Sequence, residues 1–186
     1  ANFDQHEETP DFKSYFPKGV WLDYYTYETI NIDENVKQVS LYGGLNHTNL
    51  HIRGGSIVPF QDTSEASKIT MTYDLSKRPT RLIIVPDTSG FAQGNLIIAE
   101  GKRTDENHQY YTITHTNNMI KFVLEDGAIT DSKSSLTNEV LHEIHIVSIN
   151  PNIYNADFAC AIGKDQSIKQ MLIEKATHPI SGKPFL

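Results

Sequence analysis

What the chain has little of narrows its chemistry first. It contains a single cysteine, Cys160, in 186 residues. One thiol can neither close an internal disulfide nor assemble a thiolate metal site. Beside Phe158 and Ala159 it reads as a small buried hydrophobe rather than a nucleophile. No apolar run approaches the roughly 18 residues that a membrane-spanning helix needs. The N-terminal stretch Ala1-Asn2-Phe3-Asp4-Gln5-His6-Glu7-Glu8 is polar and acidic, unlike the apolar centre of a signal peptide. Positive charge is also scarce. Lysine and arginine number 16 against 23 acidic residues, a net charge of −7. The basic runs stop at the pairs Lys77-Arg78 and Lys102-Arg103. That balance excludes nucleic acid and anionic membrane as principal partners, since both reward clustered cations.

Familiar catalytic signatures are missing as well. His142-Glu143-Ile144-His145 has its histidines three apart in a strand-like run. A zinc-protease helix needs them four apart on one face, whereas here the two rings point to opposite faces. Gly43-Gly44, Gly54-Gly55 and the Gly90/Gly94 pair lack the strand–loop–helix setting and the following Lys-Ser/Thr of a phosphate loop. They read as turns, bulges or close backbone approaches. No Gly-x-Ser-x-Gly elbow is present. Glycoside hydrolysis needs only two carboxylates about 5–10 Å apart, and Asp23, Asp87, Glu100, Asp105 and Glu106 are candidates. Nothing in their spacing makes any two converge. The expectation is therefore no catalytic residue, no metal ligand and no cofactor.

What is present is strand patterning. Hydrophobic residues make up 38% and charged residues 21%, a balance that belongs to a folded domain rather than a disordered tail. Short runs rich in Val, Ile, Thr and Tyr recur between Gly, Asn, Asp and Pro. They place strands near 20–25, 36–42, 49–53, 55–60, 68–73, 80–85, 94–98, 110–115, 119–124, 139–149 and 167–173. In Tyr110-Tyr111-Thr112-Ile113-Thr114-His115 the β-branched and aromatic side chains suit a pleated surface and lose rotamer freedom in a helix. Only Asp165 to Lys175 has any helical character. In 140–149, Ile144 and Ile146 face one way and Val147 and Ile149 the other, which requires either burial on both faces or a bulge. The class is all-β, built as two consecutive antiparallel β-sandwich units. The charged, Pro-containing stretch Leu75-Ser76-Lys77-Arg78-Pro79 marks the boundary. It divides a proximal domain, 1–78, from a distal one, 79–186.

Aromatics crowd one segment: Tyr15, Phe16, Trp21, Tyr24, Tyr25 and Tyr27 fall within thirteen residues. They suit a packed strand or interface, and alternatively a platform on which sugar rings stack. Alternate side chains of a strand face opposite ways. Tyr15, Phe16, Trp21, Tyr24 and Tyr25 therefore exceed what one strand can bury, and they form a candidate docking face. Asn46-His47-Thr48 is the only Asn-x-Ser/Thr triplet, which makes Asn46 a candidate glycan acceptor in a polar turn.

Tyr15-Phe16-Pro17-Lys18-Gly19-Val20-Trp21-Leu22-Asp23-Tyr24 resembles the segment that leaves the catalytic barrel in glycoside hydrolase family 31, the α-glucosidase family. Asn49-Leu50-His51-Ile52-Arg53-Gly54-Gly55-Ser56-Ile57-Val58-Pro59, about thirty residues on, resembles that family's next strand pair. Arg81-Leu82-Ile83-Ile84-Val85-Pro86 and Ala92-Gln93-Gly94-Asn95-Leu96 are similar to the first strands of its distal sandwich. Where the family continues into an acidic turn, this chain has Ile98-Ala99-Glu100-Gly101-Lys102-Arg103, a departure that puts the turn's role in doubt. The family's catalytic aspartates lie upstream, and no matching motif occurs here. The resemblance thus implies a C-terminal accessory portion of an α-glucosidase-like protein. Its partner would be the catalytic barrel of the same precursor or a separate chain, in a secretory, lysosomal or extracellular setting. Two alternatives stand beside it: a carbohydrate-binding module, and a structural subunit of a larger assembly. Arg53, in a strand expected to be buried, should pair with a carboxylate or with carbonyls.

Overall fold

Leu82, Ile83, Ile84 and Val85 are all at most 1% exposed, and the molecule is arranged around them. In the computed structural model, residues 11–44, 46–61, 63, 71, 78–99, 108–116, 119–125, 141–148, 160–161, 168–169, 176–177, 181 and 184–185 are described. All regular elements among them are strands. In chain order, the first nine are β1 (Asp11–Asp23), β2 (Thr29–Tyr42), β3 (His51–Arg53), β4 (Ser56–Gln61), β5 (Thr80–Val85), β6 (Phe91–Ala99), β7 (His108–Thr116), β8 (Met119–Leu124) and β9 (Leu141–Ile146). Two short ladders follow, β10 (Cys160–Ala161) with β11 (Ile168–Lys169) and β12 (Ala176–Thr177) with β13 (Pro184–Phe185).

The first three strands form a sheet in the order β2-β1-β3, and β4 to β9 form a second in the order β8-β7-β6-β4-β5-β9. Strand alternation explains how the sheets meet. On β5, Leu82 and Ile84 join a core with Ile57, Ala92, Leu96, Tyr111, Ile113, Leu141 and Ile146. Ile83 and Val85 point the other way, where Val20, Leu22 and Ile52 of the three-stranded sheet close over them with Val147. That second cluster is the interior of the sandwich. Burying each such side chain contributes on the order of 2 kcal/mol, and β5 is buried on both faces.

The larger sheet is mixed. β5 pairs antiparallel with β4 but parallel with β9, and β4 meets β6 in parallel at Ser56 and Gln93. It also runs across the expected 78/79 boundary, since β4 precedes that point and β5 follows it, and the two pair from Ser56↔Val85 to Gln61↔Thr80. Two close approaches permit the pairing. A Cβ on Gly94 would run into the Ile57 carbonyl, and one on Gly54 would lie 2.7 Å from the Val20 Cβ. The glycines are needed where backbones cross.

Several strands depart from their sequence limits for physical reasons. β1 starts at Asp11 because the chain runs straight through Pro17-Lys18-Gly19, which reads as a breaker. There the register shifts: two steps from Pro17 to Gly19 are matched by four from Val36 to Ile32. Gly19 has φ 138°, a left-handed conformation that a Cβ would strain. The conflict in 140–149 resolves as burial on both faces, and the register irregularity lies earlier in the strand. A register shift opposite Thr80/Arg81 skips His142, and the strand is buried on both faces, with Ile146 in one core and Val147 in the other. Most of the 68–73 and 165–175 predictions lies outside the described residues, although Ile168–Lys169 is strand.

Candidate functional site

The outer face of the three-stranded sheet carries an aromatic cluster around Phe16. Val20 and Leu22 turn inward, so Trp21 and Asp23 turn outward, opposite Arg53 and His51 of β3. By strict alternation Phe16 would face the core, but the irregularity at Pro17/Gly19 re-aims it. Its ring meets Trp21 edge-on at 5.2 Å and His51 at 5.0 Å. Phe16 is consequently buried, although it faces away from the sandwich interior. Trp21 Nε1 donates to the Pro17 carbonyl at 2.9 Å, which ties the indole across the same irregularity.

Arg53 corrects an expectation. It is exposed rather than buried, because it sits opposite Trp21 on the outer face, and its guanidinium lies 5.8 Å from that ring centroid. A cation over an indole gains electrostatic attraction without an acidic partner. His51 lies 3.8 Å from Asp23. Burial lowers the His51 pKa, and the opposing pull of Asp23 does not offset it.

The other ring residues are distributed around the sheet. Tyr15 is 66% exposed and accepts a hydrogen bond from Gln38, its partner across the ladder. Tyr24 stacks on Phe60 at 5.1 Å, beside a cleft of about 420 Å³ that Thr80, Arg81 and Glu143 also line. Tyr25 packs edge-on against Tyr24 and touches His47. The structure thus brings Phe16 to Trp21 and Tyr24 to Tyr25, and places Tyr15 apart from both pairs. Asn46 is exposed in the turn after β2.

The carboxylate candidates are occupied with turns. Asp23 Oδ1 accepts from the Tyr25 and Thr26 amides, both at 2.8 Å. Asp87 Oδ1 accepts from the Ser89 amide, the Ser89 hydroxyl and the Phe91 amide. Burial pushes the Asp87 pKa up, and these donors more than reverse it, holding the carboxyl below its usual value. Glu100, Asp105, Glu106 and the side chains of His142 and Cys160 lie outside the described residues. Among the described residues no group of three His, Cys, Asp or Glu is placed to hold a metal ion.

A polar chain invisible in the sequence crosses between the sheets. Tyr27 closes the β1–β2 turn with φ 58°, an unusual conformation for a bulky residue. Its hydroxyl donates to His145 Nδ1 at 2.8 Å. His145 Nε2 donates to Glu143 at 3.2 Å, and Arg81 Nε donates to the same carboxylate oxygen at 2.6 Å. Burial pushes the Tyr27 pKa up to about 12, so the phenol stays a neutral donor. Glu143 is held below its usual value, because Arg81 and His145 outweigh the opposing effect of its own burial. Only the fold brings these groups together, since Tyr27 and His145 are 118 positions apart.

Residues 5–58, which include β1 to β3 and the first half of β4, match the family described as the glycosyl hydrolase family 31 C-terminal domain. Over that stretch the chain is similar to a family 31 C-terminal domain. Its relatives agree. Over 93 residues, 48% of the chain, it is 39% identical to an alpha-glucosidase of Mucor javanicus, and covers 10% of that protein. Over 143 residues, 77% of the chain, it is 27% identical to the intestinal sucrase-isomaltase of Oryctolagus cuniculus, and covers 7% of it. The chain therefore spans about a tenth or less of these relatives' length. The fold also resembles part of a solved chain in an ER glucosidase II heterodimeric complex, with a TM-score of 0.68 at 18% identity over 98% of this chain and 20% of that one. In family 31 terms, the two blocks that carry the resemblance are β1 and the β3–β4 pair. Among the described residues no helix is long and apolar enough to cross a membrane.

Proposed function

We propose that this chain is the non-catalytic C-terminal β-sandwich portion of an α-glucosidase-like protein, bracing a separate catalytic barrel that hydrolyses O-glycosidic bonds. The observation that carries the reading is the family 31 match at 5–58, which falls on β1 to β4, the strands that build one sheet and join it to the other. Exposed Arg53 and half-buried Trp21 on the outer face, packed with the buried Phe16 ring, support it. An aromatic and arginine surface on a rigid sheet is the composition that anchors packed interfaces. The division into a proximal part, 1–78, and a distal part, 79–186, belongs to the same proposal, with β4 lent to the distal sheet.

Two measurements test it. The purified chain is assayed on maltose and a chromogenic α-glucoside, with no turnover expected; turnover that a point change in this chain abolishes would overturn the reading. Trp21→Ala is then placed in the parent polypeptide. The thermal midpoint of the parent should fall and kcat should drop with it, while the isolated chain keeps its β-sheet circular dichroism. A parent indifferent to Trp21→Ala and Arg53→Ala together would sink the assignment of the docking face.

A further inference from the structure

The turn that carries Asn46 is more than an exposed sequon. Both of its feet are pinned: Asn49 Nδ2 donates to the Tyr42 carbonyl at 2.6 Å, and the Tyr24 amide donates to the Leu50 carbonyl at 2.9 Å. Between them the His47 amide donates to the Gly44 carbonyl at 3.1 Å. Asn46, His47 and Thr48 are left exposed at the crest. The chain passes close over the Tyr42 ring at Gly44, where a Cβ would force that exposed ring to shift.

The rings beside the acceptor are the second observation. The His47 ring lies 5.6 Å from that of Tyr25 and 5.8 Å from that of Tyr42. The two tyrosines are 39% and 43% exposed, and Leu50 on the same loop is 42% exposed. Exposed aromatic surface clustered on a pinned loop is the kind of patch a covering group makes favourable. A pyranose presents an apolar C–H face of matching size, and its hydroxyls remain in water at the edge.

We propose that Asn46 carries an N-linked glycan whose first N-acetylhexosamine lies over the Tyr25–His47–Tyr42 rings. The donor is a polyprenyl-diphosphate-linked oligosaccharide, and Thr48 supplies the hydroxyl that the acceptor triplet requires. The Asn46 Nδ2 forms a bond to C1 of the reducing-end sugar, and the C1–O bond to the diphosphate breaks. The polyprenyl diphosphate leaves with the electron pair, the amide gives up one proton, and no redox partner is needed. The proposal does not depend on the bracing role.

The test is peptide mapping of the full-length protein from its native source, treated with peptide N-glycosidase in ¹⁸O water. The Asn46 peptide should appear with Asn converted to labelled Asp, and should be unlabelled in the Thr48→Ala variant. An unmodified Asn46 peptide throughout would overturn the proposal. The ring contact has its own readout. Asn46→Gln should lower the thermal midpoint by about 2 °C in the wild-type background, and by clearly less when Tyr25 and Tyr42 are both alanine. Equal losses in the two backgrounds would remove the stacked geometry, even with the glycan present.

Discussion

β5 and β2 show how differently two strands of one molecule can be employed. β5 has six residues, and five of them, Thr80 and Leu82 to Val85, are buried. β2 has fourteen residues, sits at the edge of its sheet, and buries Ile32 while Asn31, Asp33, Glu34, Asn35, Lys37 and Gln38 are exposed. The first strand is held by packing on both faces. The second is held by its ladder to β1, and its charges discourage edge-to-edge pairing with other chains. Stability should therefore be concentrated in the six-stranded sheet, and recognition should belong to the three-stranded one.

That contrast can be broken first at its strongest point. Gly94→Ala forces a methyl into the Ile57 carbonyl, and should cost at least about 3 kcal/mol in urea unfolding. Ile84→Ala, at 0% exposure, should cost about 3–4 kcal/mol by the same measurement. A loss below about 1 kcal/mol at both sites would mean the six-stranded sheet is not the stable unit. Next comes the link between the sheets. Tyr27→Phe removes the donor to His145 and should cost about 1–2 kcal/mol, with the double variant Tyr27→Phe/His145→Phe recovering part of it.

Acid provides a graded test. His115 is fully buried and its Nδ1 lies 3.0 Å from the Gly90 carbonyl. Burial lowers its pKa below the ordinary 6.5, and the hydrogen bond to Gly90 only partly offsets this. The neutral ring favours the folded state, so its contribution is present above the unfolded pKa. It is lost as pH falls below 6.5 toward the lower folded value. Thermal midpoints measured from pH 7.5 to 5 should decline, and His115→Gln should flatten the decline. At the gentle end, Lys37→Ala on β2 should change unfolding free energy by less than about 0.5 kcal/mol. A larger effect would make β2 more than an edge.

The same contrast decides what could be read beforehand. Thr80–Val85 and Met119–Leu124 are rich in apolar and β-branched residues with turn residues at each end, and their limits are plain in the sequence. The first half of β1 is obscured by Pro17 and Gly19, which sit inside the strand because the register slips there. The slip also defeats simple alternation, which separates Phe16 from Trp21, whereas the fold packs them together. The Tyr27–His145 link has no local signature at all. Its partners meet only because β9 lies beside β5, a pairing that no pattern within either strand announces.

That pairing of β5 with β9 also sets a schedule for synthesis. Arg81 and Glu143 are 62 positions apart, and a ribosome adding about 5–20 residues per second needs roughly 3–12 s to make that span. During the interval β5 has β4 on one side and an open edge of unpaired N–H and C=O groups on the other, flanked by apolar side chains. Such an edge is a template for any passing strand, and long-range parallel pairing is among the slower steps in folding. The nascent chain is thus most at risk between the emergence of Val85 and that of Ile146. Slowed translation within that window should raise the misfolded fraction more than slowing anywhere else.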